Sequence, residues 1–281
     1  MSDFELERSP EARALAEEAL VRLLEALEGQ ALDLVVLGGL VPELLTGGQA
    51  DQTPGHLGTT DIDIHVSLVA NPEGDLGALE AALKEIDAEP DPKIDGWRWR
   101  IPVDGARVKI EFLCDLADQP AGATIVLPGC RDVKAANLRG TRFVARDWVE
   151  EEIGRASDRG MKARRARFAA LEGYLMAKSY AVRHRGEEKD YYDLVHVLLY
   201  NRAGGAEQAG QLLAGGQFAE DVKAGRSIFR EIEARFGDAS AFGPQSYAGQ
   251  ALQVEPEADP AQLAQDAVGA VAEFIAVLGL R

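Results

Sequence analysis

The chain has 281 residues, 46% of them hydrophobic and 27% charged, enough for about two domains with real cores, which excludes a disordered tail, a collagen and a disulfide scaffold. Its two cysteines, Cys114 and Cys130, form no framework and fit a reducing cytoplasm. The formal net charge of −17 repels nucleic acid at long range, so an anionic partner needs a local basic patch, and basic residues do outnumber acidic ones over 155–189.

In chain order, Ser9 reads as an N-cap with Pro10 at the first helical position, and Leu20, Leu23, Leu24 and Leu27 recur at helical spacing before Gly29. The apolar run 32–37 reads as a strand leading into Gly38-Gly39 and a short helix over 41–46, and the polar, Gly-rich segment 47–58 reads as a loop. A strand over 61–69 sets Ile62, Ile64, Val66 and Leu68 on one side, and 75–87 reads as a helix. Segments 97–103 and 107–114 both alternate, and Asp104-Gly105 between them is a two-residue hairpin signal. Further strands are expected over 124–127, 141–144 and 161–168. Helices then follow over 169–184, 191–200, 206–213, 219–236 and 261–278, with the three-proline segment 237–260 as a linker.

The longest apolar stretch, 267–280, carries Glu273 and is too short for a bilayer span. The first thirty residues hold Asp3, Glu5, Glu7, Glu11, Glu17 and Glu18, against a secretory signal. The expectation is a cytoplasmic α+β protein with no membrane association. An α/β domain with a mixed sheet covers 1–160 and a mainly helical domain covers 161–281.

The sharpest chemical feature is Thr59-Thr60-Asp61-Ile62-Asp63-Ile64. Residues two apart in a strand face the same way, so Asp61 and Asp63 project together, and two such carboxylates repel unless a cation sits between them. Hard oxygen donors of this kind suit Mg²⁺ or Mn²⁺. Glu111, the only acid in the apolar strand Val108-Lys109-Ile110-Glu111-Phe112-Leu113, stands beside the pair if the two strands are neighbours. Three acids can hold two metals about 3.5–4 Å apart, the arrangement that clamps the attacking and leaving oxygens of a phosphoryl or nucleotidyl transfer. Gly38-Gly39 lets backbone approach phosphates closely. A surface acid pair and an ordinary glycine turn are the bland readings of the same residues.

The combination resembles the DNA polymerase β-like nucleotidyltransferase superfamily and, within it, the AbiEii/AbiGii toxin-like nucleotidyltransferases of bacterial toxin–antitoxin systems. The matching residues are Gly38-Gly39, Thr59-x-Asp61-x-Asp63, Glu111, and Lys178 followed by Arg185-x-x-x-Lys189-Asp190-x-x-Asp193, over residues 32–200. The resemblance implies a nucleotidyltransferase core followed by helices. The implied reaction is Mg²⁺-dependent transfer of a nucleoside monophosphate from an NTP to an RNA or protein hydroxyl, with an antitoxin as a partner. Asp61, Asp63 and Glu111 would hold metals, with Glu111 also orienting the attacking hydroxyl. Gly38, Gly39, Thr59, Lys178 and Asp190 would bind the nucleotide. Two residues depart from the family pattern: Leu40 follows the glycine pair where Ser or Thr is usual, and Leu57 stands where Arg is common.

Alternatives remain for single residues and for the whole. Lys178 on an ordinary amphipathic helix would be solvated, Asp190 reads equally as an N-cap, and Asp193 reads as structural. His65, His184 and His196 lack metal-ligand spacing, and Tyr191 and Tyr192 read as packing residues. A phosphatase with Asp61 as nucleophile fits poorly, because Gly55, Gly58, Thr59 and Thr60 precede the acid pair where that class has an apolar strand. A non-catalytic nucleotide- or partner-binding descendant of the same fold draws its support from Leu40.

Overall fold

A computed structural model describes residues 7–30, 32–46, 53–68, 75–154 and 162–280. The 47–52 part of the expected loop over 47–58, the end of the expected strand at Val69 and the start of the expected strand at Met161 lie outside them, as does the 155–161 part of the basic region. The chain divides into two compact units. Met1–Val41 and Gly58–Ala169 form the first, and Pro42–Leu57 and Ala170–Arg281 the second.

The first unit begins with α1 (Pro10–Ala26), capped as its sequence indicates: Ser9 Oγ accepts the Ala12 N–H at 3.0 Å. Ala12, Ala16, Ala19, Leu20 and Leu23 form its buried stripe. β1 (Leu34–Leu37) runs into a 3₁₀ turn, Gly38–Leu40, and the chain leaves for α2 (Pro42–Thr46) of the second unit. It returns at Gly58 to give β2 (Asp61–Val66), α3 (Gly77–Glu85), β3 (Glu89–Pro90), β4 (Arg98–Val103), β5 (Ala106–Cys114), β6 (Thr124–Val126) and β7 (Lys134–Asn137). A 3₁₀ turn at Thr141–Ala145, β8 (Trp148–Ile153) and β9 (Arg164–Ala169) complete it.

The strand order is β3-β4-β5-β2-β1-β9-β8, with β7 parallel to the end of β5 and β6 antiparallel to β7. β2 and β5 are parallel, as are β1 and β9, while β1–β2, β3–β4, β4–β5 and β8–β9 are antiparallel, so the sheet is mixed. The β4–β5 hairpin turns through Asp104 (φ 48°) and Gly105 (φ 81°), both left-handed as a two-residue turn demands. One sheet face is apolar: Val36, Ile62, Ile64, Val108, Ile110, Phe112, Trp99 and Ile101 are all buried, and α1 packs against β2, β4, β5 and β9. The other face carries the polar residues of the candidate site.

The second unit is helical. It contains α2, residues 53–57, α4 (Leu171–His184), α5 (Glu188–Tyr200), α6 (Ala206–Gly215), α7 (Ala219–Ala224), α8 (Arg226–Arg235), α9 (Phe242–Ala251) and α10 (Pro260–Val277). Its core holds Tyr174, Tyr192, Tyr247, Phe218, Phe229 and Phe274. The protein is therefore α+β with a mixed sheet. No helix among the described residues is long and apolar enough to cross a membrane.

Several elements differ from the sequence reading. Residues 141–144 form no strand: behind Gly140 (φ 93°) the Phe143 and Arg146 amides close i→i−3 bonds to Gly140 and Phe143. The sequence reading contains no β3, β7 or β8; β8 carries Glu150, Glu151 and Glu152, and its place is set by pairing along β9. The expected linker over 237–260 contains α9, which accommodates Pro244 in its first turn, where no N–H donor is needed. The expected helix over 219–236 is two helices broken at Gly225. The units part after Ala169, because β9 pairs into the sheet, and residues 42–57 go with the helices.

Candidate active site

Strand register assembles the site in the first unit. β2 lies beside β5 with Asp61 opposite Lys109 and Asp63 opposite Glu111. β4 continues both rows, setting Arg100 opposite Lys109 and Arg98 opposite Glu111. Directly opposed residues project from the same face. Two parallel rows result, Asp61–Lys109–Arg100 and Asp63–Glu111–Arg98, with Leu37 of β1 at the head of the second.

Gly38 and Gly39 close the acid end. Gly38 is left-handed (φ 75°), and a Cβ there would lie 1.8 Å from Asp63 Oδ2; one on Gly39 would lie 2.6 Å from Thr59 Cβ and Oγ1. The carboxylate and the threonine thus pack directly on glycine backbone, which no other residue type permits. Buried Thr59 donates from Oγ1 to Asp61 Oδ1 at 2.7 Å and fixes that carboxylate. Asp61 and Asp63 are half-buried and Glu111 is buried.

Arg98 commands Glu111. Its Nε and Nη2 donate at 2.7 and 2.6 Å, both to Oε1, and neither contact falls on Oε2. Arg100 Nη2 donates to Asp91 at 3.2 Å, and Asp91 also accepts the Lys93 N–H at 3.0 Å. Burial pushes the Asp91 carboxyl up, but the Lys93 amide, Arg100 and Arg98 together hold it below its ordinary value. Among the described residues no three His, Cys, Asp or Glu side chains are gathered at ligand spacing. The donor chemistry of Asp61 and Asp63, two hard carboxylates on one face, nevertheless fits a divalent ion such as Mg²⁺ or Mn²⁺. Glu111 stands next in register with Oε1 committed to Arg98.

Lys178 and Asp190 meet in the second unit. The Lys178 ammonium is buried, 3.0 Å from Asp193 Oδ2 and 3.4 Å from Asp190 Oδ1, so it is not the solvated lysine of an ordinary amphipathic helix. Burial and nearby Arg185 disfavour its charge, but Asp193 and Asp190 outweigh them and hold its pKa above the usual lysine value. Asp190 is not the N-cap of α5. Glu187 is, and Asp190 is the third residue of the capping box, its carboxylate accepting the Glu187 N–H at 3.3 Å and bonding Arg185 at 2.6 Å. Burial raises the Asp190 pKa, while Lys178 and Arg185 bring it below its ordinary value.

The first unit therefore gathers Gly38, Gly39, Thr59, Asp61, Asp63 and Glu111, and the second gathers Lys178 and Asp190. Sequence reasoning missed Arg98, Arg100 and Asp91, and in the second unit His56, whose Nε2 lies 3.0 Å from Asp193 Oδ1 with both side chains buried. The hairpin turn held the signal for Arg98: with Asp104-Gly105 at the tip, counting back pairs residue 98 with residue 111. No short-range signal exists for His56 and Asp193. No family model, curated protein or solved structure matches the chain.

Proposed function

We propose that the protein is a metal-dependent nucleotidyltransferase of the AbiEii/AbiGii toxin-like kind, moving a nucleoside monophosphate from an NTP to an RNA or protein hydroxyl. The observation that carries this reading is the register that puts Asp61, Asp63 and Glu111 on one face, with the Asp63 carboxylate resting on Gly38. Asp61 and Asp63 would hold a divalent ion, which when bound neutralises phosphate charge and activates the phosphorus for attack. Thr59 keeps Asp61 oriented, the glycine pair keeps side chains away from Asp63, and Glu111 is the carboxylate available to a hydroxyl. Lys178 and Asp190, which the resemblance assigns to the nucleotide, belong to the helical unit, where the Lys178 ammonium is held by Asp190 and Asp193.

Two observations favour a second reading, a non-catalytic binding descendant of the fold. Arg98 neutralises Glu111, and Leu40, in the place of a hydroxyl residue, is buried as a core side chain. Incubation with each α-labelled NTP, Mg²⁺ and an RNA and protein extract separates the two. Label on a macromolecule is expected, and Asp61→Asn and Asp63→Asn should each abolish it. Both variants should keep the fold, since an Asn Oδ1 still accepts from Thr59 and an Asn at 63 is isosteric. Full transfer by either variant sinks the metal assignment, and binding of NTP without transfer by the wild type supports the second reading.

A further inference from the structure

The proposed transfer leaves three cations of the same sheet face without a role: Arg98, Arg100 and Lys109. They sit in adjacent register positions on β4 and β5, one strand beyond the acid pair for Lys109 and two for the arginines, about 5 and 10 Å away at ordinary strand spacing. The presentation of the two arginines is built. Asp91, whose side chain is 2% exposed, bonds Arg100 and lies 3.8 Å from Arg98 Nη1, and the Trp97 ring lies 4.9 Å from the Arg98 guanidinium. Arg98 and Arg100 remain 25% and 15% exposed, so the anchored guanidiniums still reach solvent.

Two guanidiniums and an ammonium on one face match phosphate oxygens better than any neutral ligand, because the arginine fork binds phosphate in two parallel bonds and lysine adds a point charge. We propose that Arg98, Arg100 and Lys109 form an oxyanion site for phosphate groups, and that Arg98 is shared between that phosphate and Glu111. Both Arg98 contacts to Glu111 use a single carboxylate oxygen. A phosphate that draws the guanidinium away loosens the hold on Glu111, so an anion in the row and the availability of the carboxylate are coupled. This deepens the nucleotidyl-transfer reading and rests on it for the origin of the phosphate: the triphosphate of the nucleotide or the backbone of an RNA acceptor. The shared chemistry is the phosphate oxyanion.

The test is a binding titration of the full chain at low salt with inorganic tripolyphosphate and, separately, with a short oligoribonucleotide bearing hydroxyl ends. Arg100→Gln and Lys109→Gln should each weaken binding about 10- to 100-fold, the loss of one charged hydrogen bond. Loss confined to tripolyphosphate assigns the row to the nucleotide, and loss confined to the oligonucleotide assigns it to the acceptor. Glu111→Gln, which removes the anionic competitor for Arg98, should tighten binding several-fold, and the gain should vanish in an Arg98→Gln background, whereas a mere loss of nearby negative charge tightens binding in both backgrounds. Thermal melts establish that each variant is folded, and Arg100→Lys, which keeps the charge, should retain part of the affinity. Wild-type affinity in both glutamine variants of the row, or no tightening in Glu111→Gln, overturns the inference. The label-transfer assay is independent: transfer by the wild type with an indifferent row sinks this proposal alone, and phosphate binding without transfer sinks only the reaction.

Discussion

At the scale of single residues, the acid site is organised as much by what is missing as by what is present. Gly38 holds a left-handed backbone, and its absent side chain is the space that the Asp63 carboxylate fills. Gly38→Ala therefore carries two penalties. A non-glycine residue at positive φ costs about 1–2 kcal/mol, and the new Cβ, 1.8 Å from Asp63 Oδ2, must expel the carboxylate. The expected outcome is a lower melting temperature together with loss of label transfer. Gly105→Ala is the matched control, because its φ is also positive but nothing lies within 4 Å of its Cβ. It should lower the melting temperature and leave transfer intact. If Gly38→Ala behaved like this control, Asp63 would not depend on the glycine.

At the scale of elements, legibility followed locality. The β4–β5 hairpin was readable because alternation and Asp104-Gly105 are both short-range signals, and the acid pair because strand periodicity alone aligns Asp61 with Asp63. β8 was not readable, because a run of three glutamates looks solvated until β9 supplies Arg165 and Arg167 opposite two of them. The 3₁₀ turn at Thr141–Ala145 defeated a strand pattern because Gly140 sets the backbone before it. The α4–α5 pair shows the same limit. A lysine serving only a ligand contributes little to packing, so its removal leaves a fold intact, but Lys178 is clasped by Asp190 and Asp193, 12 and 15 positions later. Lys178→Met should leave Asp190 with Arg185 and the Glu187 amide, and Asp193 with His56, in a buried cluster that has lost one positive charge, at a cost of about 3 kcal/mol, seen as a lower denaturant midpoint with unchanged slope. An unchanged midpoint would mean that Arg185 and His56 hold the aspartates without the lysine.

At the scale of the whole molecule, a chain with a net charge of −17 relieves self-repulsion as carboxylates protonate, yet several of those carboxylates stabilise the fold only while ionised. Glu80 on α3 is the clearest. It accepts the Arg131 and Asp132 amides at 2.6 and 2.9 Å and the Lys84 ammonium, tying α3 to the turn between β6 and β7. Burial opposes its charge, but Lys84 and the two amides overcome that and bring its pKa from 4.5 to about 2. A carboxyl whose pKa is lower folded than unfolded binds fewer protons in the native state over that interval, so stability falls as pH falls through it. The Glu80 contribution is thus complete above about pH 4.5 and gone below about 2. Asp91 and Asp190, also held below their ordinary values, act in the same direction. Both amides reach one oxygen, Oε2, so Glu80→Gln keeps the shape and can still accept both, but it loses the charge and the Lys84 contact on Oε1 and should melt below the wild type at pH 7. The gap should narrow as pH drops from 4.5 and close near 2, where Glu80 is itself neutral. Melting curves of the two proteins from pH 7 to 2 check this, and a gap that stays constant throughout would show that the Glu80 charge contributes nothing to holding α3 against the turn.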